Sequence, residues 1–300
     1  MPLPSSTRIG RVTLRIADLD RSLQFYVGVL GFREIDRRHT TEGRTARLGA
    51  SGSDTIWLEL REVPGVQRIP RGGLIGLYHF AVLLPARADL GRFLVHAVNV
   101  GSAISSADHL VSEALYLTDP DGLTVEVYRD RPRSEWEANG GEITMATLPL
   151  DADGVAAAID PGTRWHGTPA GTTMGHMHFY VGALDEADAF YHGALGFDRV
   201  MWSYPGALFV SAGGYHHHVG LNTWAAHTRV AGEADAGLVS WQLLVPADGT
   251  LQAIADRLDA GGYAVTRSDT GLLADDAWGI RVEVGLLPAT TEPSGPTAPE

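Results

Sequence analysis

The stretch Asp18-Leu-Asp-Arg-Ser-Leu-Gln-Phe-Tyr-Val-Gly-Val-Leu-Gly-Phe32 returns as Ala183-Leu-Asp-Glu-Ala-Asp-Ala-Phe-Tyr-His-Gly-Ala-Leu-Gly-Phe197. Asp20/Asp185, Phe25/Phe190, Tyr26/Tyr191, Gly28/Gly193 and the closing Leu-Gly-Phe coincide. Each copy has an Asp near its start suited to an N-cap, then apolar residues at helical period. Each ends at a Gly placed like a C-cap. Each follows an alternating strand, Val12–Ile16 and His176–Val181.

A second, weaker repeat lies between these. Leu77-Tyr-His-Phe-Ala-Val-Leu-Leu-Pro85 and Leu238-Val-Ser-Trp-Gln-Leu-Leu-Val-Pro246 read as strands closed by proline. Each precedes a helix-like stretch, Gly101 or Gly262, and further strands ending at Leu123–Tyr128 or Ile280–Val284. The chain thus reads as α+β, with four βαβββ modules beginning near residues 8, 74, 172 and 236. Residues 131–171 form a polar, Gly/Pro-interrupted connector between units 8–130 (modules 1 and 2) and 172–287 (modules 3 and 4). The Pro/Thr/Glu-rich tail 288–300 is predicted to be disordered.

Composition narrows the chemistry. The 300 residues include 12 His and no Cys, with a formal charge of −13. Disulfides, thiolate metal sites and a Cys nucleophile are excluded. An acidic chain without a basic run is unsuited to nucleic acid. No apolar stretch approaches the ~20 residues of a membrane span, and the first residues lack a signal core. The expectation is a soluble cytoplasmic protein whose metal ligands, where it has them, are His and carboxylate.

Strand, helix ending in Leu-Gly-Phe, and strands ending in Asp-Pro-Asp-Gly-x-x-x-Glu resemble the vicinal oxygen chelate superfamily, which includes glyoxalase I, fosfomycin-resistance thiol transferases, bleomycin-binding proteins and extradiol dioxygenases. The segments at 78–85, 112–117 and 130–136 are most similar to its bacterial catechol 2,3-dioxygenase branch. The resemblance implies two cup-like barrels, each made of two modules around a metal position. Ligands come from a module's first and last strands.

Counting onto this sequence, the family's first-strand His lies about 20 residues before the Gly of Leu-Gly-Phe. That is His176 in module 3 and Arg11 in module 1. The matching strands carry His79 in module 2 and Ser240 in module 4, and the last-strand carboxylates are Glu126 and Glu283. Only modules 2 and 3 together supply a triad: His79, Glu126 and His176. Two His and one carboxylate is the arrangement of non-heme Fe(II) oxygenases, and Mn(II) suits the same set. This implies a swapped pairing, module 2 with module 3 and module 1 with a metal-free module 4, within one chain or between two.

The resemblance further implies His217 as acid–base, with Tyr116 and His109 as hydrogen-bond donors to substrate oxygens. His178 is a rival to His176, because residues i and i+2 of a strand share a face. His216 and His218 are rivals to His217, and Tyr116 can be read as a core aromatic. The turn Asp119-Pro-Asp-Gly122 positions Glu126, and the Phe-Tyr pairs read as packing. Glu283 is expected beside Arg11 as a structural carboxylate.

The implied activity is insertion of O2 into a catechol-type diol at Fe(II), giving a muconic semialdehyde. The partners are a small aromatic diol and O2, with no nucleic acid and no membrane; a homo-oligomer is left open. Alternatives are a metal-dependent glyoxalase or thiol-transferase-type enzyme, and a non-catalytic small-molecule binder of the same fold.

Overall fold

A computed structural model of the protein describes residues 2–41 and 43–288. The predicted tail lies, from residue 289 on, outside the described residues. Each module is led by one strand: Arg8–Ile16, Gly76–Leu83, Thr173–Tyr180 and Gly237–Val245. Each lead strand runs parallel to the last strand of its own module: Leu58–Glu62, Thr124–Asp130, Val219–Asn222 and Arg281–Leu286, respectively.

The lead strands then join antiparallel across modules. Arg8–Ile16 pairs with Gly237–Val245, and Gly76–Leu83 pairs with Thr173–Tyr180. The result is two eight-stranded mixed sheets, one from modules 1 and 4, the other from modules 2 and 3, within a single chain. This is the vicinal oxygen chelate arrangement of two cups, with the pairing swapped as the ligand count required. The sheets cross the connector, so units 8–130 and 172–287 are proposed as chain-order segments and neither is a sheet of its own.

Alternation along the lead strands divides core from site. Phe80 and Phe179 turn into a continuous buried cluster with Tyr26, Tyr191 and Trp241, linked by the contacts Tyr26–Phe80 and Phe179–Trp241. Their neighbours His79 and His178 turn the other way.

The repeated helix begins at Leu19–Leu23 and Leu184–Asp188 and then widens, at Gln24–Val29 and Ala189–Ala194, into a π-type turn. There the Leu30 and Leu195 N–H groups reach back five residues, to the carbonyls of Phe25 and Phe190. Gly31 and Gly196 end the turns at φ +81° and +93°, where a side chain is disfavoured. Asp18 caps its helix by accepting from Arg21 N–H, whereas the second copy has Ala183 at that position and no side-chain cap.

The Phe-Tyr pairs do more than pack. Tyr26 Oη donates to Asp119 and Tyr191 Oη to Asp276, at 3.0 and 3.1 Å. Each of these buried bonds ties a helix to the Asp-rich turn of the next module. Asp119 Oδ1 also accepts the N–H groups of Asp121 and Leu123, which closes the turn leading to Glu126. In the cup of modules 1 and 4, Glu283 is held by Arg11 at 3.0 Å and Ser240 at 2.5 Å. That carboxylate is engaged as expected. Among the described residues no helix is long and apolar enough to cross a membrane.

Candidate metal centre and pocket

Register brings the site residues to one face. Glu126 stands beside Ala81 in the parallel pair and opposite Tyr116 in the antiparallel one. His176 lies across from Ala81, and His178 across from His79, with a bulge on either side of that segment. Side chains opposite one another across strands share a face. His79, Tyr116, Glu126, His176 and His178 therefore all point into the cup, and Ala81 leaves room among them.

His79, Glu126 and His176 bring ligand atoms within 4.8 Å of one another, the grouping of this kind found among the described residues. All three side chains are buried. His79 Nε2 and His176 Nε2 approach the same Glu126 Oε2, at 3.0 and 3.1 Å. Two donors ~2.1 Å from one ion at a right angle are about 3 Å apart, so this spacing fits a metal. Both ring nitrogens of His79 and the Nδ1 of His176 have no hydrogen-bond partner. Buried polar atoms are normally satisfied, and an ion would satisfy the Nε2 side of this set.

Electrostatics prepare the same groups. Burial pushes His79 below the ordinary imidazole value, which favours the neutral ring with one nitrogen free to donate a lone pair to a metal. Burial alone would raise the Glu126 carboxyl, yet His176 and then His79 beside it hold it well below the usual carboxylate range. The site thus carries two imidazoles and one carboxylate, the donor set for a divalent transition ion.

His178 is in the same pocket and differently engaged. Its Nε2 accepts from Asn222 Nδ2 at 2.9 Å. A Cβ on Gly220 would come within 2.9 Å of the His178 ring, so this neighbouring strand must carry glycine for the imidazole to lie flat there.

The His triplet precedes the strand Val219–Asn222 instead of alternating along it. The His217 ring lies 4.1 Å from that of His176, tilted by 49°, and lines the pocket. His218 turns away to Ser211. His216 Nε2–H donates to Asp130 at 2.8 Å, since a carboxylate can only accept. His216 Nδ1 and His217 Nδ1 lie 2.8 Å apart, so one ring donates to the other, and Nε2 of His217 stays outside that bond. Burial, then the neighbouring His176, holds His217 well below the ordinary imidazole value.

His109 and Tyr116 form a second pair. His109 Nδ1–H donates to the Ala146 carbonyl, and His109 Nε2 is hydrogen-bonded to Tyr116 Oη, both at 2.7 Å. Tyr116 Oη thus stands between His109 and the pocket. Burial and the Glu126 charge push its phenol well above the ordinary value.

The cavity above the trio measures about 360 Å³. Its walls add Tyr78, Tyr204, Phe209 and Trp224, and from the connector Met145, Ala146 and Thr147. Tyr204, Phe209, Trp224 and the connector residues lie in no repeat or counted motif, so sequence counting had no means of finding them, and Asn222 escaped for the same reason; Tyr78 and Asp130 lie in segments that carry the resemblance, but no role was read from them.

Comparison with known proteins places this geometry in context. Residues 8–127 and 173–284 match the family described as Glyoxalase/Bleomycin resistance protein/Dioxygenase superfamily. The chain is 41% identical to the catechol-2,3-dioxygenase of Bacillus subtilis over 274 residues, 90% of this chain and 94% of that protein. It is 30% identical to a lactoylglutathione lyase of Neisseria meningitidis over 123 residues, 40% of this chain and 88% of that one. In fold it is similar to glyoxalase I from Zea mays, with TM-score 0.57 at 16% identity, covering 93% of this chain and 92% of the other.

Proposed function

The chain belongs to the glyoxalase/bleomycin resistance/dioxygenase superfamily, and from that premise we propose that it is an extradiol dioxygenase that opens a catechol-type ring with O2. The observation that carries this reading is a proton-handling group on each side of one buried trio. His217 lies 4.1 Å from His176, and Tyr116 5.7 Å from His79, between ring centroids. An isomerase or thiol transferase has no need of this second set, and a simple binder has no need of the trio. The 41% identity to a catechol-2,3-dioxygenase supports the same reading.

His79, Glu126 and His176 would hold Fe(II). When bound, that ion supplies Lewis acidity toward a diol oxygen and a redox path between ring and O2. The protein's own groups handle protons and position. His217 Nε2, neutral and unpaired, accepts a proton from the nearer hydroxyl and returns it later in the cycle. Tyr116 would keep its proton and donate it in a hydrogen bond to the oxyanion that forms on the other diol oxygen, with His109 Nε2 behind its hydroxyl at 2.7 Å. Met145, Phe209 and Trp224 enclose the ring and limit water. Both atoms of O2 enter the product, one ring C–C bond beside the diol breaks, and no further reductant is consumed.

The experiment is anaerobic loading with Fe(II), then addition of O2 and catechol. One O2 consumed per yellow ring-fission product supports the reading. Stoichiometric iron with neither uptake nor product, across catechol and alkylcatechols, overturns it.

A further inference from the structure

We infer that the pocket selects diols whose substituents are uncharged and rejects those carrying a carboxylate; this rests on the reading that its ligand is a vicinal diol. Of the residues that line the cavity, Glu126 is the one with a fixed charge, and that charge is negative. None is Lys or Arg. The chain has no Lys at all, and neither residues 1 and 42 nor the stretch 289–300 contain an Arg. On the strands of this sheet and beside them, Arg87, Arg129 and Arg131 converge on the buried Glu113.

The mouth has the same character. Ser105, Thr118 and Thr147 present hydroxyls on one side, and Tyr204 and Trp224 present rings on the other. Tyr204 and Trp224 stand 6.3 Å apart between centroids and give a hydrocarbon substituent a flat surface. A carboxylate there would lose hydration and gain no ion pair from any lining side chain. A glutathione adduct, with its two carboxylates, meets the same refusal. A site without a charged partner discriminates strongly, because the ligand's own polar group is left unpaired.

The test compares 3,4-dihydroxybenzoate with its methyl ester, which keeps the shape and electron withdrawal and removes the charge. Binding to the iron-loaded enzyme is measured by anaerobic calorimetry at pH 7, and turnover by O2 uptake. The ester is expected to bind at least ~30-fold more tightly than the acid, roughly 2 kcal/mol at 1.4 kcal/mol per tenfold. A smaller ratio, or no binding of either, overturns the inference. Thr147→Arg, on the exposed rim, is expected to narrow the ratio at least tenfold, and an unchanged ratio counts against the charge argument. The binding arm stands apart from ring cleavage. If the ester binds and is never cleaved, the proposed reaction fails while the selectivity holds.

Discussion

His178 Nε2 is held by Asn222 Nδ2 at 2.9 Å, and that bond separates two histidines that the strand pattern leaves equivalent. His176, two residues earlier on the same face, points its Nε2 at Glu126 instead, at 3.1 Å. His176→Ala is therefore expected to lower iron affinity at least ~100-fold, beyond the 10–100-fold typical of outer partners, while His178→Ala stays within about tenfold. Iron content after anaerobic dialysis decides between them. Loss of iron in His178→Ala and retention in His176→Ala would move the ligand by two residues.

The Tyr116–His109 pair predicts coupled losses. Tyr116→Phe removes the hydroxyl that is hydrogen-bonded to His109 Nε2. Turnover number is expected to fall about 100-fold, on the scale of one lost oxyanion donor, with iron content unchanged. His109→Gln should cost a similar factor, and the double variant little more than either alone, since both act through one hydrogen-bond chain. Multiplying losses in steady-state kinetics would show that the two act separately.

The legible part of the fold and site was whatever repeats or counts. Leu-Gly-Phe at 30–32 and 195–197 and the two Asp-Gly turns give module order, and the spacing from Gly196 and Gly122 reaches His176 and Glu126. Swapped pairing was legible too, because neither half holds a triad. What escaped depends on tertiary contact. Tyr26 looks like core until its hydroxyl meets Asp119, 93 residues away. His109 is oriented by the Ala146 carbonyl, in a connector without periodicity. Asp130 acquires meaning only when His216 arrives from module 3.

Asp119 predicts a pH dependence of stability. Burial, opposed by the Leu123 N–H bond and aided by Asp121, raises its carboxyl from 3.8 to about 7. The folded state therefore favours the neutral acid. That contribution is fully present below pH 3.8 and is lost as pH rises through about 7. Urea unfolding of the metal-free protein should show stability declining across this window. Asp119→Asn, uncharged at every pH, should flatten the decline. An equal slope in both proteins would show that Asp119 is ionised throughout.

Glu126 and Glu283 occupy equivalent positions in the two cups and should answer differently to the same change. Glu126 has two imidazoles at 3.0 and 3.1 Å and no cation beyond them. Glu283 has Arg11 at 3.0 Å, with Ser240 and Gln242 filling its other bonds. A guanidinium already neutralises that carboxylate, and Ser240 offers no imidazole in the place of a second ligand. Glu126→Gln should thus abolish iron binding with little change in melting temperature, because the charge lost belongs to the ion and not to the fold. Glu283→Gln should keep full iron content and lose modest stability, on the order of 1 kcal/mol, as Arg11 loses a half-exposed partner. Iron loss in Glu283→Gln with retention in Glu126→Gln would place the metal in the other cup.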